Sequence, residues 1–565
     1  MRQLYMDFDG YSTVYPDKRI DQVTAQACTT VKPMKASLLF PLVRVLCLSV
    51  VAGCDGSNSP SATLNTQPDQ LKTPISQEVA LATFDETWNT VEQSDVELNH
   101  GGVDWVAVKV ELRPKAQIAT SREELRAILQ DMLSRLNRSH FGIIPAESVS
   151  ALAKDEAPKQ ADKNSLRESH SSVTTATALE KFGDTAREKE IERSKETESL
   201  ESVSTQTPMD INVQNTSPPK NTTKSNRSAE AEATFGLTLR FIEEVPTVTG
   251  VRANSPADKA SVQLGWVVKS VDGVDMIAAN TDSDTMAAKY VQELILQSAD
   301  AGDIDSQETW VFEGALGDTI SKPLTRALSE GISTKLGLLP PFQVRCNDRV
   351  LSQDQLRALG LPDDFYIAVI AFNIWMPAIA QQVDEAFQRH LNADGIIIDL
   401  RGNPGGAGGM AMGVAGHVLD EPKSLGTMRT RDATLEFKVN PRRSTSQGAR
   451  VQPFEGPVAI VVDPLSASTS EIFAGGLQKL GRARVFGRTS AGAALPAQMK
   501  SLPSGDALLF AFANFTLPDD SIIEGVGVIA DEPTGTRRAD WTPNQDADVN
   551  AAAKWIATQF EVEKP

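Results

Sequence analysis

The sequence predicts an α/β fold in which a largely parallel sheet follows a helical segment and a small β-rich module. Three observations predict it. Beyond Pro340, apolar runs of strand length alternate with amphipathic stretches of helix length, as in repeated strand–helix–strand units. Between Ile75 and Pro145 apolar residues recur at helical spacing. From Phe235 to about Asp284 the runs are short, rich in valine and threonine, and broken by Gly and Asn turns.

At the N-terminus, Met34-Lys35 opens an apolar stretch from Leu38 to Ala52 that is interrupted by Arg44 and ends in Val51-Ala52-Gly53-Cys54. It is too short for a spanning helix and reads as a signal peptide. The small residues before Cys54 resemble the lipobox of bacterial lipoproteins. That resemblance implies translation from Met34, lipid on Cys54, and a membrane-anchored chain in the cell envelope, facing the periplasm or the exterior. Asp55 resembles an inner-membrane retention signal, and an ordinary cleaved signal with a chance cysteine is the alternative. Residues 1–54 are thus set aside, and 55–74, rich in Ser, Pro, Asn and Gln, read as a flexible tether. Of the four cysteines, Cys28 and Cys47 precede the cut and Cys54 would be blocked, so Cys346 has no expected disulfide partner.

Residues 75–145 read as a helical domain with Phe84, Trp88, Val91, Trp105, Leu112, Leu125, Leu129 and Met132 facing inward and Ser121 capping the last helix. Residues 146–234 are dominated by Glu, Lys, Ser and Thr and cannot bury enough apolar surface to offset ordering, so a disordered insertion is expected. Residues 235–330 contain strands at Leu237–Phe241, Thr247–Val251 and Trp266–Gly273, a helix start at Ser255-Pro256, a helix from Met286 to Gln297 and a strand near Thr309–Phe312. Ser255-Pro256-Ala257 with Ala260, followed by Gly265 through Val271-Asp272-Gly273, resembles the PDZ signature of bacterial exported proteases. The resemblance implies that a polypeptide C-terminus is received at Phe235-Gly236-Leu237-Thr238. A packing module with a closed groove is the alternative. Residues 331–565 form the α/β core, with strands at Ile367–Phe372, Gly395–Leu400, Val458–Val462 and Ala483–Phe486.

The net charge of −19 and the absence of Lys/Arg clusters exclude nucleic acid as a partner. The five histidines lack ligand spacing, so no metal is expected, and the serine chemistry considered below needs no cofactor. Two segments of the core carry chemistry. Asp399-Leu400-Arg401-Gly402-Asn403-Pro404-Gly405-Gly406 follows a buried strand and offers backbone N–H groups; no Gly-Lys-Ser/Thr follows, which argues against a phosphate loop. Ser466-Ala467-Ser468-Thr469-Ser470-Glu471 joins a strand to a helix, where Ser468 is either a cap or a nucleophile.

Together these segments resemble the tail-specific, or C-terminal processing, serine peptidases and the catalytic core of the tricorn protease. The resemblance implies a ClpP/crotonase-like peptidase core, polypeptide substrates, Ser468 as nucleophile, and oxyanion donors at Thr469 and at Gly405 or Gly406. The better-known branch uses a Lys base after the next strand, but Ala493 stands at that position, in Thr489-Ser490-Ala491-Gly492-Ala493-Ala494-Leu495-Pro496. Ser139-His140 resembles the tricorn branch instead. It implies His140 as general base and acid, oriented through Ser139 by Glu524 in Ile523-Glu524-Gly525. Lys479, Lys500 and His417 are reserve bases, while His100 reads as a loop residue and His390 as a helix-surface residue. An alternative outcome is a scaffold lipoprotein that binds C-termini and does not cut.

Overall fold

The computed structural model describes residues 73–147, 233–276, 285–339, 341–542 and 545–561. The expected signal peptide, Cys54, most of the tether and nearly all of the insertion, with His170, lie outside the described residues. The first ordered elements are helices α1 (Gln77–Ser94), α2 (Trp105–Ile118) and α3 (Arg122–Ser134). Each begins at a residue whose side-chain oxygen accepts a first-turn N–H: Ser76, Asp104 and Ser121. Strand β1 (Gly142–Ile144) follows.

These helices do not close their own core. Phe84, Leu112, Leu125, Leu129 and Met132 pack with Leu495, Leu502, Leu508 and Phe510 from the far end of the chain. In addition, β1 pairs antiparallel with residues 507–509. A boundary at residue 145 therefore cuts one packing unit in two, because three short helices expose an apolar face that the C-terminal hairpin covers.

Next come strands β2 (Leu237–Ile242), β3 (Val245–Val251) and β4 (Val267–Val271), then β5 (Gln307–Glu313) and β6 (Thr319–Thr325). Short helix α4 (Pro256–Lys259) lies between β3 and β4, and α5 (Met286–Ser298) between β4 and β5. The five strands are antiparallel in chain order, around a core of Phe235, Leu239, Trp310 and Phe312. Strand β2 is an edge, and α5 runs beside it.

The third part is a six-stranded mixed sheet. It uses β7 (Cys346–Val350), β8 (Ile367–Phe372), β9 (Gly395–Asp399), a hairpin of β10 (Lys423–Arg429) and β11 (Thr434–Val439) outside the sheet, and then β12 (Val458–Val462) and β13 (Ala483–Gly487). A second pair, β14 (Ala497–Ser501) and β15 (Ala507–Ala511), is the hairpin that meets β1. The sheet closes on a short strand at Glu532–Pro533. Strands β8, β9, β12 and β13 are parallel, and β7 is an antiparallel edge.

The helix Gln353–Leu359 and helices α6 (Ala380–Arg389), α7 (Gly409–Ala415), α8 (Thr469–Lys479) and α9 (Ala547–Glu561) serve this sheet. Val383, Phe387, Ile472, Phe473 and Leu477 cover one face. Val549, Ala552, Ala553 and Ile556 cover the other, a helix that the sequence reading did not anticipate. Burial on both faces explains why the strands are continuously apolar. Because β9 and β12 are parallel neighbours, the two motif segments leave the sheet side by side, with Asp399 opposite Val461.

The β-rich module is pinned to the sheet by charge. Arg240 of β2, 2% exposed, places Nε 2.6 Å from Asp463 Oδ2, and Arg488 donates to Phe241 C=O at 2.8 Å and to Glu293 at 3.3 Å. Arg240→Ala would take the bonded guanidinium from buried Asp463 and leave it the N–H groups of Gly402 and Leu465 and the more distant charge of Arg488. A loss of about 3–5 kcal/mol is expected, read as a lower urea midpoint at unchanged m-value.

Candidate active site

Ser468 precedes the first residue of α8 with φ 54° and ψ −117°, a backbone that costs a non-glycine residue of order 1–3 kcal/mol and persists only where neighbours enforce it. Here they do. The Ser468 N–H donates to Ala493 C=O (2.9 Å) and to Glu471 Oε2 (3.0 Å). Ala467 N–H donates to Asn403 C=O (3.0 Å), and Ser466 Oγ to Leu400 C=O (2.8 Å). Ser468 Oγ makes no capping bond; Glu471 reaches back to the backbone instead. That carboxylate, fully buried, also accepts from Ser490 Oγ (2.5 Å), Gly492 N–H (2.7 Å) and Ala493 N–H (3.0 Å). Burial pushes its pKa up to about 7 against these four donors.

The glycine turn is built against this serine. Arg401 is anchored by Asp399, Asp546 and Asp548. Asn403, fully buried, donates from Nδ2 to Phe372 C=O (2.8 Å) and accepts Gly405 N–H on Oδ1 (3.0 Å). At Gly405 (φ 100°) a Cβ would stand 2.7 Å from Ser468 Cβ, and at Gly406 (φ 135°) 2.4 Å from Trp375 C=O. Only glycine fits either place. Thr469 Oγ1 donates to Gly406 C=O (3.0 Å), which fastens the two turns together. Among the described residues the N–H groups of Thr469 and Gly406 have no hydrogen-bond partner, whereas Gly405 N–H is taken by Asn403. Of the two glycines named from the sequence, Gly406 is therefore the one with a donor to spare.

A second constellation is held by Ala494, the residue after Ala493. Glu524 accepts Ser139 N–H (2.7 Å), Ser139 Oγ (2.9 Å) and Ala494 N–H (3.0 Å), while Ser139 Oγ lies 2.7 Å from His140 Nδ1. The Ser139 hydroxyl gives its single proton to Glu524, so it must accept from Nδ1–H. The neutral ring then carries its lone pair on Nε2, the tautomer a general base needs. Burial lowers the His140 pKa to about 4 and raises that of Glu524. Ala493 bonds Ser468 and Ala494 bonds Glu524, so consecutive residues hold the serine and the relay. No hydrogen bond joins His140 to Ser468 among the described residues.

The other candidates serve structure. Lys479 pairs with Asp519 (2.8 Å) and Lys500 with Glu86 (2.5 Å). His417, 2% exposed, bonds Asp384 and stacks on Phe387. His390 is not at the helix surface as its position suggested: it is 3% exposed, held between Tyr366 and Asp348, because it closes α6 against β7.

The expected peptide-receiving loop is already engaged. Phe235 is fully buried. Leu237 N–H donates to Asp300 Oδ1 (2.8 Å), Gln297 Nε2 donates to Leu237 C=O (2.9 Å) and its Oε1 accepts Leu239 N–H (2.9 Å), while Phe241 N–H donates to Glu293 Oε2 (3.1 Å). Side chains of α5 and Asp300, two residues beyond it, thus bond the outer edge of β2. Tyr290 and Leu294 of α5 pack on Leu465, Ala467, Ala491 and Ala493, beside Ser468. Glu293, Gln297 and Asp300 were missed from sequence because polar residues at helical spacing read equally as a solvated face.

The fold and site define an α/β protein with a serine-centred site built where parallel strands end. Residues 365–534 match Peptidase family S41, and residues 80–134 match the Tricorn protease C1 domain. In these segments the chain is similar to the peptidases that its motifs resemble. It is 24% identical over 301 residues to a probable CtpA-like serine protease of Staphylococcus haemolyticus (strain JCSC1435), covering 53% of this chain and 51% of that protein. It is 30% identical over 140 residues to a carboxyl-terminal-processing protease of Synechocystis sp. (strain ATCC 27184 / PCC 6803 / Kazusa), covering 25% and 31%. The matches thus span about half or less of these relatives' length. Among solved structures, photosystem II D1 C-terminal processing protease aligns with TM-score 0.46 at 17% identity, covering 80% of this chain and 92% of that one. The tricorn protease aligns with TM-score 0.40 at 13% identity, covering 85% and 37%.

The His140 environment has a consequence for stability. Its folded pKa of about 4 lies below the ordinary 6.5, so between those values the folded state binds fewer protons than the unfolded. The contribution is complete above pH 6.5 and is lost as pH falls toward 4, up to about 3 kcal/mol. Urea titrations at pH 7, 5.5 and 4 should reveal this slope in the native chain and a shallower one in His140→Gln. Separately, Gly405→Ala should abolish reaction at Ser468 with a fluorophosphonate, since the new methyl displaces the serine.

Proposed function

We propose that the chain is a serine endopeptidase of the C-terminal processing kind, hydrolysing extended polypeptides through an acyl-enzyme on Ser468. The observation that carries this reading is the hydrogen-bonded series His140–Ser139–Glu524, with Nε2 left open, whose Glu524 is held by Ala494, the residue after the Ala493 that holds the strained Ser468 turn. His140 Nε2 takes the Oγ proton as Oγ bonds to the scissile carbonyl carbon. The carbonyl oxygen, now negative, accepts from Thr469 N–H and Gly406 N–H, each worth about 3 kcal/mol to the transition state. The imidazolium, stabilised through Ser139 by Glu524, then protonates the leaving amine as the C–N bond breaks. Water attacks the ester with the same histidine as base, which frees the second product and restores Ser468.

His140 and Ser468 must approach to share that proton, and candidate bases often tighten on substrate only in the loaded enzyme. A second reading, a non-cutting scaffold, rests on Ala493 standing where the better-known branch has its lysine. Further assignments belong to the same proposal: a ClpP/crotonase-like core, a PDZ-like module at 235–330, substrates engaged through their C-termini, and a lipid-anchored location in the cell envelope. The antiparallel sheet with α5 along its edge supports the PDZ-like reading. Substrate entry there requires displacing Gln297 and Asp300.

Ser468→Ala should abolish cleavage of an unfolded protein while near-UV circular dichroism is unchanged. His140→Ala should lower kcat by at least about a thousandfold, and Glu524→Gln by less. Cleavage that survives Ser468→Ala sinks the assignment. Failure of the native chain both to cut and to react with a fluorophosphonate favours the scaffold.

A further inference from the structure

Between α3 and β1 the chain passes from Leu136 to Phe141, both buried, through four residues. Asn137 (φ 48°) and His140 (φ 63°) have left-handed backbone without being glycine. Backbone of this kind needs support from its surroundings. Glu524 provides one anchor, on Ser139. Arg138 provides the other. Its guanidinium donates to both oxygens of Asp95, at 2.9 and 2.5 Å, and lies 5.3 Å over the Phe141 ring.

Asp95, 1% exposed, ends α1 and is itself fixed. His100 Nδ1 lies 2.9 Å from Asp95 Oδ2, its Nε2 lies 3.0 Å from Glu92, and its ring packs 5.5 Å from Trp105. Arg431, in the turn between β10 and β11, donates to the backbone carbonyls of Asp95 (2.5 Å) and Glu92 (2.6 Å), which lie at the C-terminal end of a helix where carbonyls lack intrahelical partners. The end of α1 is thereby tied to the core, and the His140 turn hangs from it through Arg138. A Ser139–Glu524 bond alone would fix only the Nδ1 side and leave the turn free to pivot.

We propose that Asp95, through Arg138, is a positioning residue that holds His140 toward Ser468, with the clamp referenced to the core by Arg431. The claim rests on His140 being the base, and its test separates the two. Asp95→Asn keeps the shape and turns one acceptor of the bidentate pair into a donor facing a guanidinium. The first readout needs no activity: the titration of His140 followed by NMR in chain labelled with 13C-histidine. A ring released toward water should titrate at least about one unit higher, moving from about 4 toward 6.5, with near-UV circular dichroism unchanged. A His140 titration that superimposes on the native one overturns the proposal.

The second readout is kinetic. Asp95→Asn should lower kcat on an unfolded polypeptide about 10- to 100-fold, with KM within about threefold, and should cost nothing further in a His140→Ala background. A further loss there means that Asp95 acts through the fold at large, and overturns the proposal. Should Asp95→Asn not fold, Arg138→Lys is measured in the same way; it keeps the charge and loses the fork. If the native chain neither cuts nor labels at Ser468, yet the His140 titration responds to Asp95→Asn, the peptidase reading fails and the positioning claim stands.

Discussion

One buried carboxylate sets the geometry on which the site depends. Glu471 takes the N–H of Ser468, of Gly492 and of Ala493 together with the Ser490 hydroxyl. By holding the Ser468 backbone it replaces the cap that the serine side chain would otherwise make, and so leaves Oγ available. By holding residues 492–493 it fixes the stretch whose next residue, Ala494, donates to Glu524. Serine and relay are therefore located from one point. The cost is a carboxyl group stripped of water, offset by three backbone donors and one hydroxyl.

Ser139 and His140 arrive from the other end of the chain. Helices α1 to α3 bury their apolar faces only by sharing a core with residues 495–511. That shared core, with β1 added to β15, delivers Ser139 and His140 to Glu524. Folding of the helical segment and assembly of the site are thus one process. Hydrophobic burial brings the elements within a few ångströms, and polar contacts between residues far apart in sequence then choose the geometry.

The edge of the β-rich module follows similar logic. An open edge strand exposes unpaired backbone groups, and proteins commonly cover such edges. Here Glu293 and Gln297 of α5, with Asp300 just beyond it, satisfy β2, while Tyr290 and Leu294 on the same helix press on residues flanking Ser468. The covering of the edge and the wall beside the serine are one element. Any chain that adds to β2 must therefore disturb packing next to the site.

The sequence by itself determined the local features. The strand at Val458–Val462 is a continuous apolar run, Ser121 caps α3, the glycines at 405 and 406 demand backbone that no other residue adopts, and Ala493 removes the lysine of the commoner branch. All are short-range properties of chain chemistry. What only the tertiary structure decided is long-range: that Gly406 N–H and not Gly405 N–H is unpaired, that Asp300 and Gln297 fill the β2 edge, and that Arg431 holds the end of α1. Each depends on which of several chemically similar groups ends up within about 3 Å of a partner. Sequence spacing cannot encode that choice, because packing of distant elements sets the distance.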